Sequence, residues 1–165
     1  MSKTIRVELS TKSINSAIKE LNQYKTWIAE KEIQLRRRLA ELGADVARIQ
    51  FAGATYDGVN DVTVRVDDSG SVAVIYAEGE AVAFIEFGAG AKYGYGHPQA
   101  GLFGVGPGTY PEPKNPKNWN RPTGWFYKEG DTARRTFGNP PAKAMVNARD
   151  EILANITRIA REVFA

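Results

Sequence analysis

The sequence predicts an α+β domain, with two amphipathic helices packed on a small antiparallel sheet and a long Gly/Pro/aromatic-rich arm between the sheet and the second helix. Three observations lead there. Apolar residues recur at helical spacing near both ends of the chain. Two alternating segments flank Asp67-Asp68-Ser69-Gly70. Residues 88 to 127 are crowded with glycine, proline and aromatic side chains. Helices and strands in separate runs favour segregated layers over a parallel sheet. At 165 residues the chain suits a single domain with room for a real core.

After an N-terminal segment of residues 1–12, the first element is a helix over residues 13–51. Ile14, Leu21, Ile28, Leu35, Leu42 and Ile49 recur every seven residues, and Ile18, Lys25, Glu32, Leu39 and Val46 form a second row. Together they make one apolar stripe interrupted by charge near its middle. Ser13 or Thr11 is the expected N-cap, and Gly43 is a place for the helix to end or kink. The stripe has two readings. In the simpler one the helix lies on a sheet; in the sharper one it belongs to a coiled coil or a ring, with Lys25 and Glu32 meeting partner charges.

Gly53 to Asn60 is a turn-rich break. Asp61 to Val66 and Ser71 to Ala77 then alternate as strands, giving an antiparallel hairpin over residues 61–77. Glu78 to Phe87 fits either period, as a strand or as two helical turns. The arm follows, over residues 88–124. Residues 88 to 127 hold nine of the 16 glycines and six of the 8 prolines, at 98, 107, 111, 113, 116 and 122. Those prolines exclude a continuous helix or an inner strand. Structureless segments of this length are uncommon unless functional or disordered, and disordered tracts are poor in aromatics. Tyr93, Tyr95, Phe103, Tyr110, Trp119 and Trp125 would each lose by hanging in water, so the arm calls for a surface, in its own domain or on a neighbouring subunit. With Lys92 and Arg121 they form the candidate interface.

Trp125-Phe126-Tyr127 reads as a returning strand, and Gly130 to Gly138 as a polar loop carrying Arg134 and Arg135. Asn139-Pro140-Pro141 opens a second helix over residues 139–165, with Asn as N-cap and Pro in the first turn. Met145, Ala148, Ile152, Ile156, Ile159 and Val163 give it an apolar face.

Catalytic chemistry is sparse. The chain has no cysteine and one histidine, His97, between Gly96 and Pro98. That removes thiolate nucleophiles and imidazole-rich metal sites, and His97 reads as a turn residue. Gly104-Val105-Gly106-Pro107-Gly108 neither follows a strand nor opens a helix, as phosphate binding requires. Asp57, Asp61, Asp67 and Asp68 sit in turns, where Asp bonds the local backbone. Glu86, flanked by Phe84, Ile85 and Phe87, is either a raised-pKa acid or the end of an amphipathic segment, its carboxylate bonded to the glycine-rich backbone that follows. The second reading is preferred. A hydrolase built on Glu86 and an aspartate would lose its function on Glu86→Gln. Arg36-Arg37-Arg38 points in three directions about 100° apart and reads as a solvated helix shoulder. No apolar run of transmembrane length occurs, and no enzyme activity, metal or cofactor is expected.

The order of motifs carries a resemblance. Phe84-Ile85-Glu86-Phe87-Gly88 is followed by Gly104-Val105-Gly106-Pro107-Gly108-Thr109-Tyr110-Pro111, then Pro122-Thr123-Gly124-Trp125-Phe126-Tyr127, then Gly138-Asn139-Pro140-Pro141-Ala142-Lys143-Ala144-Met145. From about Ser13 to its end the chain resembles the tail-completion (head–tail joining, or neck) proteins of long-tailed double-stranded DNA bacteriophages and prophages. Ala89 stands where such proteins commonly carry Thr. Gly53-Ala54-Thr55-Tyr56-Asp57-Gly58 replaces their proline-bearing link between first helix and sheet. The resemblance implies a short helix ending in Glu86, Phe87 and Gly88, and a structural virion protein. Such a protein is assembled in the host cytoplasm into a ring, commonly of six copies, between the tail terminator or tube and the head connector, without membrane contact. Basic residues of the ring could lie near DNA in the channel. The composition of the arm also fits a nucleic-acid-binding module, in which cations interleave with aromatics that stack on bases. Steep loss of binding with salt would mark that alternative.

Overall fold

A computed structural model of the chain describes residues 6–90, 93–104, 106 and 125–165, with residues 125–129 described through their backbone. It is an α+β fold. Helix α1 (Thr11–Ala52) is followed by strands β1 (Thr63–Asp67) and β2 (Val74–Glu78), short helices α2 (Val82–Phe87) and α3 (Ala100–Phe103), strands β3 (Trp125–Glu129) and β4 (Thr132–Thr136), and helix α4 (Ala144–Phe164).

The long helix starts two residues before its predicted bound. Ser10, rather than Ser13 or Thr11, is the N-cap: its Oγ accepts from Ser13 N at 3.3 Å, while Ser13 Oγ accepts from Glu8 N at 2.9 Å. Ser10 so satisfies one of the donors that an uncapped helix start leaves open, while Ser13 holds the chain that leads into it. Gly43 does not end α1, which runs unbroken through it. It is buried where three elements meet, and a Cβ there would come within 2.5 Å of Ile152 Cδ1 and 2.8 Å of Ile75 Cδ1. The glycine is a packing choice, made for close approach of α4 and β2.

Helix α4 runs back along the C-terminal half of α1. Ala144 and Ala148 share the core with Ala47, Phe51, Ala81 and Ile85. Farther along, Glu162 binds Arg38 at 2.6 Å, and the Phe164 ring meets Trp27 edge-on at 5.9 Å. The small side chains at the centre of this pair let the helices lie close. Of the predicted apolar face, Ala148, Ile159 and Val163 are buried, whereas Ile156 remains 41 % exposed, and Ala144 and Val146 are buried instead.

The first hairpin is shifted by about two residues from its predicted place. Thr63 faces Glu78 and Asp67 faces Val74, so residues 71–73 belong to the turn. The turn is held by α1: the Arg36 guanidinium donates to Ser71 O at 2.6 Å and Gly70 O at 2.9 Å, while Arg37 holds Asp68 at 2.6 Å. Arg36, Arg37 and Arg38 do point apart, but each reaches a different partner instead of idling in solvent. Val64, Val66, Ile75 and Ala77 face inward with period 2, as a sheet with one covered face demands.

Residues 130–138, expected as a loop, contain β4. It pairs with β3 from Trp125↔Thr136 to Glu129↔Thr132. Gly130, at φ +58°, takes the first central position of the two-residue turn, which matches the twist of paired strands. Thr132-Ala133-Arg134-Arg135-Thr136 has no apolar alternation, because only Thr136 of the five is buried.

Candidate assembly site at the root of the arm

The Glu86-Phe87-Gly88 motif sits where α2 ends and α4 begins, against residues 93–104 and 106 of the arm. A helix leaves its last carbonyls without intrahelical partners, and here residues 139–142 and Lys143 supply them. Asn139 Nδ2 donates to Phe84 O at 2.7 Å, Ala142 N to Ile85 O at 2.8 Å and Lys143 N to Glu86 O at 3.2 Å. Asn139 is therefore a cap for α2, not the N-cap of α4. The N-cap of α4 is Lys143, at φ 57°, and its side chain makes no capping bond. The missing acceptor comes from Glu86, whose Oε2 takes Met145 N at 3.0 Å. A carboxylate is favoured there by the partial positive charge of the helix start.

The other oxygen, Glu86 Oε1, accepts from His97 Nε2 at 3.1 Å. On the far side of the ring, His97 Nδ1 accepts from Gln99 N at 3.1 Å. Because Nδ1 is an acceptor, the proton resides on Nε2 and the imidazole is neutral. Both residues are only 4 % exposed. The Phe87 ring lies 4.4 Å from the imidazole and 6.3 Å from the Phe103 ring. His97 is thus more than a turn residue, and the partners of Glu86 are not the glycines that follow it. Met145 lies 59 positions on in the chain, a pairing that only the fold creates.

Glycines let backbones close over this joint. Gly88, at φ 75° and ψ 173°, occupies a region that residues with a side chain essentially do not enter. Gly106 N donates to Gly94 O at 2.8 Å, and its Cα lies so near the carbonyl of Gly88 that no Cβ could fit. Ala89 N donates to Asn139 O at 2.9 Å.

Of the predicted interface residues, Tyr95 and Phe103 are exposed here, at 52 % and 68 %, and Tyr93 is half-buried. Leu102, not singled out in the sequence, is 81 % exposed beside them. It stands in α3, a helical turn inside a segment expected to hold none, between prolines 98 and 107. Trp125 is the first residue of β3. Lys92, Tyr110, Trp119 and Arg121 lie outside the described residues.

Asp61, Asp67 and Asp68 have backbone, serine or arginine partners. Asp61 accepts from Glu80 N at 2.7 Å and Ala81 N at 2.9 Å, tying the hairpin entry to the start of α2. The amide of Ala81, then that of Glu80, holds its carboxyl below the usual aspartate range. Asp67 is lowered by the Ser69 hydroxyl and then the Ser69 amide. Among the described residues, no group of three or more His, Cys, Asp or Glu is placed to hold a metal ion, and no helix is long and apolar enough to cross a membrane. No protein-family profile, curated protein or solved structure matches the chain.

Proposed function

We propose that the chain is a structural subunit of a tailed-bacteriophage virion, a tail-completion or head–tail joining protein that forms a ring at the neck between the tail terminator and the head connector. The observation that carries this reading is the joint at Glu86. One buried carboxylate clamps both the arm, through His97, and the start of α4. A joint of this kind holds residues 97–99 against the domain, with Tyr95, Leu102 and Phe103 exposed beside it. Exposed large apolar side chains fixed on an ordered base are what a docking surface requires. The motif resemblance supplies the biological setting, and the joint supplies a physical role for its Glu-Phe-Gly core.

Double substitution of the exposed Tyr95 and Leu102 by Asp leaves the ring and carboxylate contacts of the buried joint intact. In a complementation assay, particles carrying that variant accumulate as unjoined filled heads and tails, while the purified variant keeps its helical circular dichroism and melting temperature. Normal yields of infectious particles from the Asp variant would remove the role given to the root of the arm.

A further inference from the structure

His97 is the single histidine of the chain, and both of its ring nitrogens are engaged inside the protein. Nε2–H donates to Glu86 Oε1 at 3.1 Å, and Nδ1 accepts from Gln99 N at 3.1 Å. The second bond anchors α3. Gln99 is the N-cap of that helical turn, and its carbonyl takes Leu102 N at 2.9 Å and Phe103 N at 3.1 Å. Ala100 N donates to His97 O at 3.0 Å. Among the described residues packed round the ring, α2 carries Glu86, α3 carries no charged side chain, the segment leading into α4 carries Lys143, and residues 93–96 carry Tyr93 and Tyr95.

We propose that His97 is a proton-sensitive latch: when its neutral ring takes up a proton, His97 stays bound to Glu86 but lets go of Gln99, and α3 is unhooked. Histidine is the side chain whose charge ordinarily changes between about pH 5 and 8. Nε2 already carries a hydrogen, so the added proton goes to Nδ1. That atom turns from acceptor into donor and meets the Gln99 N–H, at a distance that suits only a donor and an acceptor. The ring is 4 % exposed, so water is not at hand to relieve two opposed donors. On the other side, the bond from Nε2–H to Glu86 becomes one between opposite charges and gains strength. The joint therefore tightens at Glu86 and gives at Gln99. What moves is decided by what is held. Glu86 is fixed by Met145 N at 3.0 Å as well as by the ring. Helix α3 is four residues long, a Cβ added at Gly101 or Gly104 would meet nothing within 4 Å, and Leu102 is 81 % exposed. Acid thus resets the bearing of Leu102 and Phe103 while leaving the α2–α4 joint in place. The latch stands or falls separately from the neck assignment, which does not require it.

Nuclear magnetic resonance on the intact nitrogen-15-labelled chain tests the latch, because one histidine gives one unambiguous pair of ring nitrogen signals. At about pH 8 the ring is neutral with its proton on Nε2. As the pH falls to about 5, the ring signals move to the charged form and the Gln99 amide proton moves upfield in step. Corrected for the intrinsic pH dependence of exchange, the amides of residues 100–104 exchange about tenfold faster, while those of α1 and α4 keep their protection. His97→Asn is the control. Its Oδ1 accepts from the N–H two residues on but takes up no proton, so the same amides do not respond to pH. A ring that charges while the Gln99 amide stays put overturns the proposal, and so does a ring still neutral at about pH 5. Loss of protection in α1 and α4 together with α3 would be ordinary acid unfolding, and an equal response in His97→Asn would place the titration elsewhere; either result also ends the proposal. Should His97→Asn fail to fold, the ring and amide signals of the parent decide by themselves.

Discussion

Replacing Glu86 by Gln changes a single terminal group and isolates what that carboxylate does. The two oxygens of Glu86 face two donors, His97 Nε2–H and Met145 N–H. Glutamine is the same size but offers one acceptor and one amine, so whichever way the amide is turned, a donor meets a donor. The imidazole cannot relieve the conflict by moving its proton to Nδ1, because Gln99 N–H occupies that side at 3.1 Å. Stranding one buried donor costs about 1–3 kcal/mol, and more when the lost acceptor was charged, so we expect about 2–3 kcal/mol. Glutamine also forfeits the favourable charge at the start of α4. For a chain of this length, that loss lowers the melting temperature by about 4–12 °C. Calorimetry at neutral pH reads it directly, and hydrogen exchange should show the excess opening at residues 97–104 and 144–147. A melting temperature within one degree of the parent, with unchanged exchange, would refute the clamp. The same result bears on any catalytic reading of Glu86: loss of function in Glu86→Gln follows from stability alone, so that substitution does not diagnose an acid catalyst.

Two further outcomes follow. Gly88→Ala puts a Cβ about 2.7 Å from Pro141 N and 2.9 Å from Asn139 O, both backbone atoms. With the backbone strain at that φ and ψ, the variant should lose about 3 kcal/mol or more, and a denaturant midpoint equal to the parent's would contradict it. Asp61 has its folded pKa below the unfolded one, so its contribution is complete above about pH 4 and disappears as pH falls through the folded value. Asp61→Asn should be less stable at pH 7 and should show a shallower decline in melting temperature on acidification. Parallel acid profiles for parent and variant would show that the Ala81 and Glu80 amides do not set that titration.

Some of this architecture is local and could be read along the chain. The long apolar periodicity of α1 marks a helix wherever it lies, because period 3.6 depends on the backbone alone. The turn-flanked alternation before Glu78 marks a hairpin for the same kind of reason, whereas the periodicity of residues 78–87 fits strand and helix alike, and the short helix there is an expectation from the motif resemblance, met by α2 over Val82–Phe87. What stayed hidden was set by partners distant in sequence. Asn139-Pro140-Pro141 looks like a helix start, but its side-chain donor is drawn to the open carbonyl of Phe84, so α4 begins at Ala144. Gly43 looks like a stop, yet it is needed where Ile152 and Ile75 converge. Strand β4 carries no alternation because so little of it is covered.

The sequence by itself determined the class of fold, the position of both long helices and the scarcity of thiol and imidazole chemistry. Backbone periodicity and residue inventory do not depend on neighbours. Only the tertiary structure decided that Glu86 joins His97 to the start of α4 and that three consecutive arginines tie α1 to the hairpin and to α4. A side chain's partner is fixed by where distant segments meet, and no local spacing encodes that meeting.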